Sequence, residues 1–203
     1  MKRSVVLALI ALMLLIGCDR KAPPPSAPTF NATDITGAPW GKDFALTDPK
    51  GHVRTLKDFR GKVVALFFGY THCPDVCPTT LSEFAMALRQ MGDEAKRVQV
   101  LFVTVDPERD TPELPAHYVP AFNPTFLGLY TDPKSLATLA AEFKVVYQKH
   151  PGNDPKNYLM DHSAGTYVFD PRGRLRLLIP YGSNPQNIAA DLHTLLNESA
   201  DGQ

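Results

Sequence analysis

The stretch that decides the fold lies between Phe67 and Pro78 and reads Phe-Phe-Gly-Tyr-Thr-His-Cys-Pro-Asp-Val-Cys-Pro. An apolar run, Val63–Phe68, leads into it and is bounded by Gly61 and Gly69. Because this run is short and rich in β-branched and aromatic residues, it predicts a strand that is buried on both faces. The strand is expected to end just before two cysteines that are separated by three residues.

A helix, Thr79–Met91, is predicted after this strand. Pro78 suits a first helical position, and a threonine at 79 or 80 followed by Glu83 is typical of a helix start. Cys73 and Cys77 therefore lie at a strand-to-helix turn. Backbone N–H groups at the start of a helix favour thiolate over thiol, so we expect both sulfur atoms to be chemically reactive.

The rest of the chain predicts an α/β domain with a thioredoxin-like order of elements. Val98–Asp106 has the composition of a second buried strand, and the helix between the two strands implies a parallel βαβ unit. A hairpin, Thr166–Ile179, and an amphipathic helix, Gln186–Leu196, then close the domain. Two additions to this order are predicted: an N-terminal β-hairpin around Asp48–Gly51, and an insertion between the βαβ unit and the C-terminal β-hairpin.

The insertion contains several short elements. The sequence predicts a helix opened by a capping box at Asp110–Glu113, a strand at Phe126–Tyr130, a helix at Leu136–Phe143 and a polar loop at His150–Lys156.

Composition and charge limit the possible functions. Hydrophobic residues make up 44% of the 203 residues, which is enough for an ordinary globular core, and the length suggests one domain with accessory segments. The formal net charge is +0 and the chain has no basic run. Nucleic acid is therefore not an expected partner.

The N-terminus has the pattern of an export signal. Two basic residues precede the apolar stretch Val5–Ile16, which is shorter than the roughly 20 residues of a membrane-spanning helix. The stretch ends in Leu-Ile-Gly-Cys at Cys18, which resembles the lipobox of bacterial lipoproteins, where cleavage leaves a lipidated cysteine as the new first residue. We therefore expect a lipoprotein signal peptide at residues 1–17 and lipid on Cys18. The alternatives are an uncleaved anchor and an ordinary signal peptide.

A proline-rich tether, residues 18–33, is expected between the lipid and a domain at residues 34–203. Such a protein would lie on the periplasmic side of the bacterial cell envelope. Asp19 directly follows the expected lipid site, and an aspartate there marks retention at the inner membrane in enterobacterial lipoproteins. With Cys18 carrying lipid, the exported domain retains only Cys73 and Cys77.

Three kinds of site are compatible with this cysteine pair. A structural disulfide is disfavoured, because closing so small a loop removes little chain entropy. A thiol–disulfide exchange centre fits the strand-to-helix turn, although such centres usually have two residues between their cysteines rather than three. A soft-metal site fits as well, provided that the chain supplies a third ligand.

His162 is the best candidate for that ligand among the six histidines. It precedes the strand that starts at Thr166, and in the thioredoxin order this loop meets the cysteine turn. Two thiolates and one imidazole suit copper, either Cu(I) or Cu(II), whereas zinc would require a fourth ligand or a water molecule. The alternative is a buried histidine bonded to backbone. Four of the other histidines are expected at the surface: His52, His117, His150 and His193. His72 is a weaker ligand candidate, because neighbours in a strand or turn, such as His72 and Cys73, point apart.

Three blocks of sequence resemble the signatures of the Sco/SenC family: Gly69–Pro78, Val105–Pro112 and Asp161–Ser163. The resemblance extends from about Phe30 to Leu196. It implies a thioredoxin-like fold and a function in assembling the dinuclear copper centre of cytochrome c oxidase subunit II. Members of the family are commonly held by an uncleaved transmembrane helix, so the lipobox is a departure.

The resemblance also implies roles for individual residues. It assigns one copper ion per domain to Cys73, Cys77 and His162, and the same two cysteines form the redox-active disulfide. The implied partner is subunit II of the oxidase, together with another periplasmic copper chaperone or a thiol reductase. Asp106 and Asp110 are expected to form a strand-end turn and a helix cap, with a position just outside the metal ligands as the alternative.

Two other activities are compatible with the sequence. A thiol–disulfide reductase that keeps the copper-binding cysteines of the oxidase subunit reduced is the main alternative. A peroxide-reducing enzyme is disfavoured, because Arg109 is the only evident arginine in the motif loops.

Overall fold

The run Val63–Phe68 forms, together with Gly69, a strand that is buried along its whole length. A computed structural model describes residues 28–154 and 157–198 of the chain. The expected signal peptide, the expected lipid site Cys18 and most of the tether lie outside the described residues. Among the described residues, no helix has the length and apolar character needed to cross a membrane.

The described residues form ten strands and four α-helices. They are β1 (Thr33–Asp34), β2 (Leu46–Thr47), β3 (Val53–Arg54), β4 (Val63–Gly69), α1 (Val76–Met91), β5 (Val98–Thr104), α2 (Glu113–Tyr118), β6 (Leu127–Leu129), α3 (Pro133–Phe143), β7 (Tyr147–Asp154), β8 (Asn157–His162), β9 (Thr166–Phe169), β10 (Leu175–Ile179) and α4 (Pro185–Glu198).

The central sheet has six strands in the order β1-β10-β9-β4-β5-β6. Strand β4 pairs in parallel with β5 and antiparallel with β9, so the βαβ unit and the C-terminal hairpin share one sheet. This is the predicted thioredoxin-like α/β fold. The early hairpin, β2–β3, forms a two-stranded sheet of its own, joined by an antiparallel bridge from Thr47 to Tyr130, the residue that follows β6.

The side chains of β4 alternate between the two faces of the sheet. On one face, the Phe68 ring packs against Phe143 of α3 with a centroid distance of 5.5 Å. On the other face, the Phe67 ring packs against Phe102 and, at 6.0 Å, against His162. The face that carries Phe67 is therefore the face on which the predicted cysteine–histidine site forms.

Helix α1 begins three residues earlier than predicted, at Val76 rather than Thr79. Pro78 thus lies in the first turn but not at its first position. Proline is tolerated there because the first N–H groups of a helix have no partner within the helix. As a consequence, Cys77 belongs to the helix, whereas Cys73 precedes it.

Two predictions about the insertion are wrong. Helix α2 begins at Glu113 after Pro112, without a side-chain cap; the Asp110 carboxylate is buried and accepts hydrogen bonds from Thr71 and Thr104 instead. Residues 150–154 of the polar loop predicted at His150–Lys156 belong to β7, which pairs with β8 in a two-stranded antiparallel ribbon. The polar composition of these residues gave no indication of a strand, because the ribbon lies outside the central sheet.

Candidate metal centre

The end of β4 places Cys77 against the sheet. Gly69 is the last residue of the strand, and a Cβ atom there would lie 2.8 Å from Cys77 Sγ and 2.8 Å from a ring carbon of Phe102. A larger residue would displace the sulfur, so glycine is required for this packing. Cys77 is fully buried, whereas Cys73 at the preceding turn is partly exposed.

The three predicted metal ligands come together in the structure. One ligand atom from each of Cys73, Cys77 and His162 lies within 4.8 Å of the other two, and this is the only such group among the described residues. The Cys77 sulfur is 3.4 Å from His162 Nε2. The Cys77 backbone N–H donates to the Cys73 sulfur at 3.4 Å.

The surroundings of His162 favour metal binding through Nε2. Its Nδ1 atom lies 3.1 Å from the backbone carbonyl of Ser163, so Nδ1 carries the proton in this hydrogen bond and Nε2 is left with a lone pair. The Tyr70 ring packs edge-on against the imidazole, at 5.9 Å between centroids. Two soft sulfur atoms and one imidazole nitrogen form a donor set that fits copper.

The pKa values of the two thiols are shifted in opposite directions. A hydrogen bond from the Cys77 thiol lowers the pKa of Cys73 well below its ordinary range, against the opposing effect of burial. The same cysteine–cysteine hydrogen bond, together with burial, raises the pKa of Cys77. The pair therefore carries its first negative charge on Cys73. Both cysteines are free in the structure.

The other histidines lie outside this group. His52 pairs with Asp48, His150 with Asp161 and His193 with Glu94, and His117 is exposed. His72, although adjacent to Cys73, is half-exposed and lies 3.5 Å from Asp110. The choice of His162 over these five is in agreement with the geometry.

Comparison with known families matches residues 32–197 to the SCO1/SenC model. The chain belongs to the SCO1/SenC family. The resemblance seen in the three sequence blocks is thereby confirmed.

Individual Sco proteins are similar over the whole domain. The copper-bound structure of Bradyrhizobium japonicum ScoI is 42% identical, with a TM-score of 0.69 over 75% of this chain and 97% of that one. The apo Sco1 protein of Thermus thermophilus is 44% identical, with a TM-score of 0.71 over 84% of this chain and 99% of that one.

A mitochondrial SCO2 homologue of Bos taurus is 43% identical over 133 residues, which are 64% of this chain and 50% of that protein. The chain thus spans about half the length of the mitochondrial relatives that it matches.

The two aspartates of the second Sco block are not in the ligand group, but both lie close to it. Asp110 accepts from the Thr71 backbone N–H at 2.9 Å, two residues before Cys73. Asp106 accepts from the Tyr158 hydroxyl at 2.6 Å, on the strand that ends at His162. Asp106 thus takes part in more than the expected turn, and Asp110 does not cap a helix.

Three residues near the site were not identified from the sequence as parts of it. Tyr70 packs on His162, and its hydroxyl accepts from the Met160 backbone N–H at 3.3 Å. Arg109 and Tyr158 stack on each other, with the guanidinium carbon 3.5 Å from the ring centroid. Tyr70 and Arg109 belong to Sco blocks, so membership of a block is a signal, whereas the role of Tyr158 depends on a hairpin that the sequence did not predict.

Proposed function

We propose that this Sco protein binds one copper ion through Cys73, Cys77 and His162 and delivers it to the dinuclear copper centre of cytochrome c oxidase subunit II. The observation that carries the proposal is the convergence of two sulfur atoms and one imidazole within 4.8 Å. Support comes from the 42%-identical Bradyrhizobium japonicum ScoI, whose structure has copper bound. Copper is the cargo here, and its delivery requires no chemical turnover.

Delivery proceeds by exchange of ligands. Cys73 and His162 are partly exposed and line one open cleft with Pro74, Val76 and Leu159, whereas Cys77 is buried behind them. Incoming ligands therefore displace copper first from Cys73 or His162, and Cys77 is the last to release it. Cu(I) is satisfied by the two thiolates, and Cu(II) also uses the imidazole.

The proposal includes a place of action. Lipid on Cys18 would hold the domain on the periplasmic side of the bacterial cell envelope, at the inner membrane, through the tether of residues 18–33. The oxidase subunit would meet the protein there, as would a copper donor or a thiol reductase that keeps the cysteine pair reduced.

A second candidate function is reduction of a disulfide in the oxidase subunit. The unequal acidity of the two thiols favours it, because an exchange centre needs one thiolate to attack and one thiol to resolve. Cys73 would attack the partner's disulfide and release one partner thiolate. Cys77 would then attack the mixed disulfide, which oxidises the pair and leaves the partner reduced.

Replacement of the imidazole separates these functions. We expect His162→Ala to lose tight Cu(II) binding, to keep Cu(I) on its two thiolates and to fail to support oxidase assembly in a strain that lacks the wild-type protein. Its dithiol should still reduce a disulfide substrate at a near wild-type rate, because that reaction needs no imidazole. Metal content, the optical spectrum of the copper form and oxidase activity measure these outcomes.

His193→Ala is the matched control, because it removes an exposed histidine of α4 that pairs with Glu94 and lies outside the ligand group. It should behave as wild type. If His162→Ala restores oxidase assembly fully after losing copper, delivery is wrong and reduction is the function. Full copper affinity in the disulfide-bonded wild-type protein would also contradict the ligand assignment, because a disulfide removes both thiolates.

A further inference from the structure

One short segment, Asp106–Asp110, contacts both halves of the copper site although it contributes no ligand. We propose that Asp106, Arg109 and Asp110 are positioning residues that hold the histidine and the cysteines at the spacing that Cu(II) requires. The proposal rests on the proposed copper site and explains how a site divided between a turn and a separate hairpin keeps its geometry.

The histidine half is held through Tyr158, four residues before His162 on β8. The Tyr158 hydroxyl donates to Asp106 at 2.6 Å, and Arg109 donates from a terminal nitrogen to the Tyr158 carbonyl at 2.8 Å. Arg109 Nε donates to the second oxygen of Asp106 at 2.5 Å. The Arg109 guanidinium also covers the Tyr158 ring. Asp106, Arg109 and Tyr158 thus form a closed set of contacts, here called the latch.

The hairpin needs such a latch. Strands β7 and β8 pair only with each other and not with the central sheet, and an isolated two-stranded ribbon is marginally stable in water. Asp106 and Tyr158 are buried and the Arg109 side chain is 14% exposed, so these contacts are shielded from water. The Lys149–Glu108 ion pair also joins the hairpin to this segment, but it is exposed and contributes little.

The cysteine half is held by Asp110. Its carboxylate is fully buried and accepts from the Thr71 backbone N–H, from the Thr71 hydroxyl and, at 2.7 Å, from the Thr104 hydroxyl. Thr71 lies in the turn that presents Cys73, and Thr104 is the last residue of β5. Asp110 therefore fixes the turn that presents Cys73 to the central sheet.

The two anchoring aspartates are joined by a hydrogen-bonded turn. Asp106 holds the hairpin that carries His162, and Asp110, four residues later, holds the turn that carries Cys73. The backbone N–H groups of Arg109 and Asp110 donate to the Asp106 carbonyl at 3.2 and 2.9 Å. One short, internally bonded segment therefore connects the two halves of the site.

Arg109 is held at some energetic cost. One of its terminal nitrogens is buried without a hydrogen-bond partner among the described residues. Buried polar groups of this kind are uncommon in folded proteins and call for an explanation. The explanation here is that the guanidinium is held in a fixed place between Asp106 and the Tyr158 ring.

Conservative variants test the latch. Tyr158→Phe removes only the hydroxyl, and Arg109→Lys removes the bond to the Tyr158 carbonyl and the flat stacking surface. We expect each to weaken Cu(II) binding by about 10- to 100-fold, as loss of a residue that orients a metal ligand does. Cu(I) affinity should change little, because both thiolates stay in place. Asp110→Asn should weaken the binding of both ions, because it disturbs the cysteine turn.

Arg174→Lys is the matched control. Arg174 pairs with the buried Asp170 at 2.6 Å. The turn that carries this pair contacts Gly61, which precedes β4, whereas the copper site follows the other end of β4. A loss of thermal stability without a change in the ratio of Cu(II) to Cu(I) affinity is expected there. The proposal is overturned if Tyr158→Phe and Arg109→Lys keep the wild-type ratio.

A metal-free measurement makes the test independent of copper. Hydrogen exchange of the apo latch variants should be faster in β8 than in the wild-type protein and unchanged in β4. Unchanged exchange in β8 would overturn the latch, even if the wild-type protein bound no copper. Absence of copper binding by the wild-type protein would instead overturn the proposed function.

Discussion

Cys73 and Cys77 are chemically different because they are packed differently. Cys77 lies in the first turn of α1 against Gly69, where no water reaches its sulfur. Cys73 lies in the open turn and accepts hydrogen bonds from the Cys77 backbone N–H and thiol. The exposure and lowered pKa of Cys73, beside the burial and raised pKa of Cys77, set the order in which the two react.

Alkylation of the metal-free, reduced protein measures this difference. The lowered pKa of Cys73 means that its thiolate persists below the ordinary thiol pKa of 9.0. Labelling of Cys73 by iodoacetamide should therefore depend little on pH near neutrality, whereas Cys77 should stay unlabelled. Peptide mass mapping after brief labelling gives both rates.

Cys77→Ser is informative in the same assay. A serine hydroxyl is a different donor from the thiol, so the stabilisation of the Cys73 thiolate should change and its labelling should become dependent on pH. Faster labelling of Cys77 than of Cys73 in the wild-type protein would contradict the assignment of the first charge.

The proposed ligands could be predicted from sequence, whereas the residues proposed to position them could not. Cys73 and Cys77 lie next to a strong strand signal, and His162 lies directly before another strand. Arg109 and Tyr158 acquire their roles only when two segments, 49 residues apart, come together in the fold. No local pattern in either segment indicates that contact.

Among the elements, apolar strands were predicted well and polar ones were not. Strands β4, β5 and β9 are buried almost throughout, so their composition identifies them. Strand β8 alternates between exposed and less exposed residues and pairs only with β7. Its presence depends on tertiary contacts such as the latch, which sequence periodicity does not record.

The N-terminal strand β1 shows that part of the predicted tether is attached to the domain. It pairs with β10. The two residues before it, Asn31 and Ala32, donate their backbone N–H groups to the buried carboxylate of Asp191 on α4, at 2.9 and 2.8 Å. The last residues assigned to the tether, 31–33, therefore belong with the domain. Phe30 also packs against the core and contacts the Arg176 guanidinium, so only the part before Phe30 remains available as a spacer.

Asp191→Ala should release this attachment. Two backbone donors lose a charged acceptor, so the free energy of unfolding should fall by about 1–3 kcal/mol. Limited proteolysis should cut faster near β1, and the affinity for copper should not change, because the ligands lie on other elements. Wild-type resistance to proteolysis would show that β10 alone holds the segment.

The molecule as a whole combines a fixed site with a proposed spacer. Residues 18–29 number 12 and include a run of three prolines, and as polyproline II they would span about 37 Å. That length would let the open cleft beside Cys73 turn towards a partner while the domain stays bound to the membrane. Attachment, rather than affinity for the partner, would then keep the two proteins close together.

Lipid on Cys18 is the prediction on which this arrangement depends. A single acyl chain binds membranes only marginally, whereas two or more anchor a protein stably. The mature protein should therefore start at Cys18 and carry diacylglycerol, and intact mass measurement of the membrane fraction should detect it. Cys18→Ser should block processing and leave a protein that starts at Met1, although copper binding by the domain should stay at the wild-type level. Recovery of wild-type protein with Met1 in place and no lipid mass would contradict the anchor, and an uncleaved N-terminal segment would then have to hold the domain at the membrane.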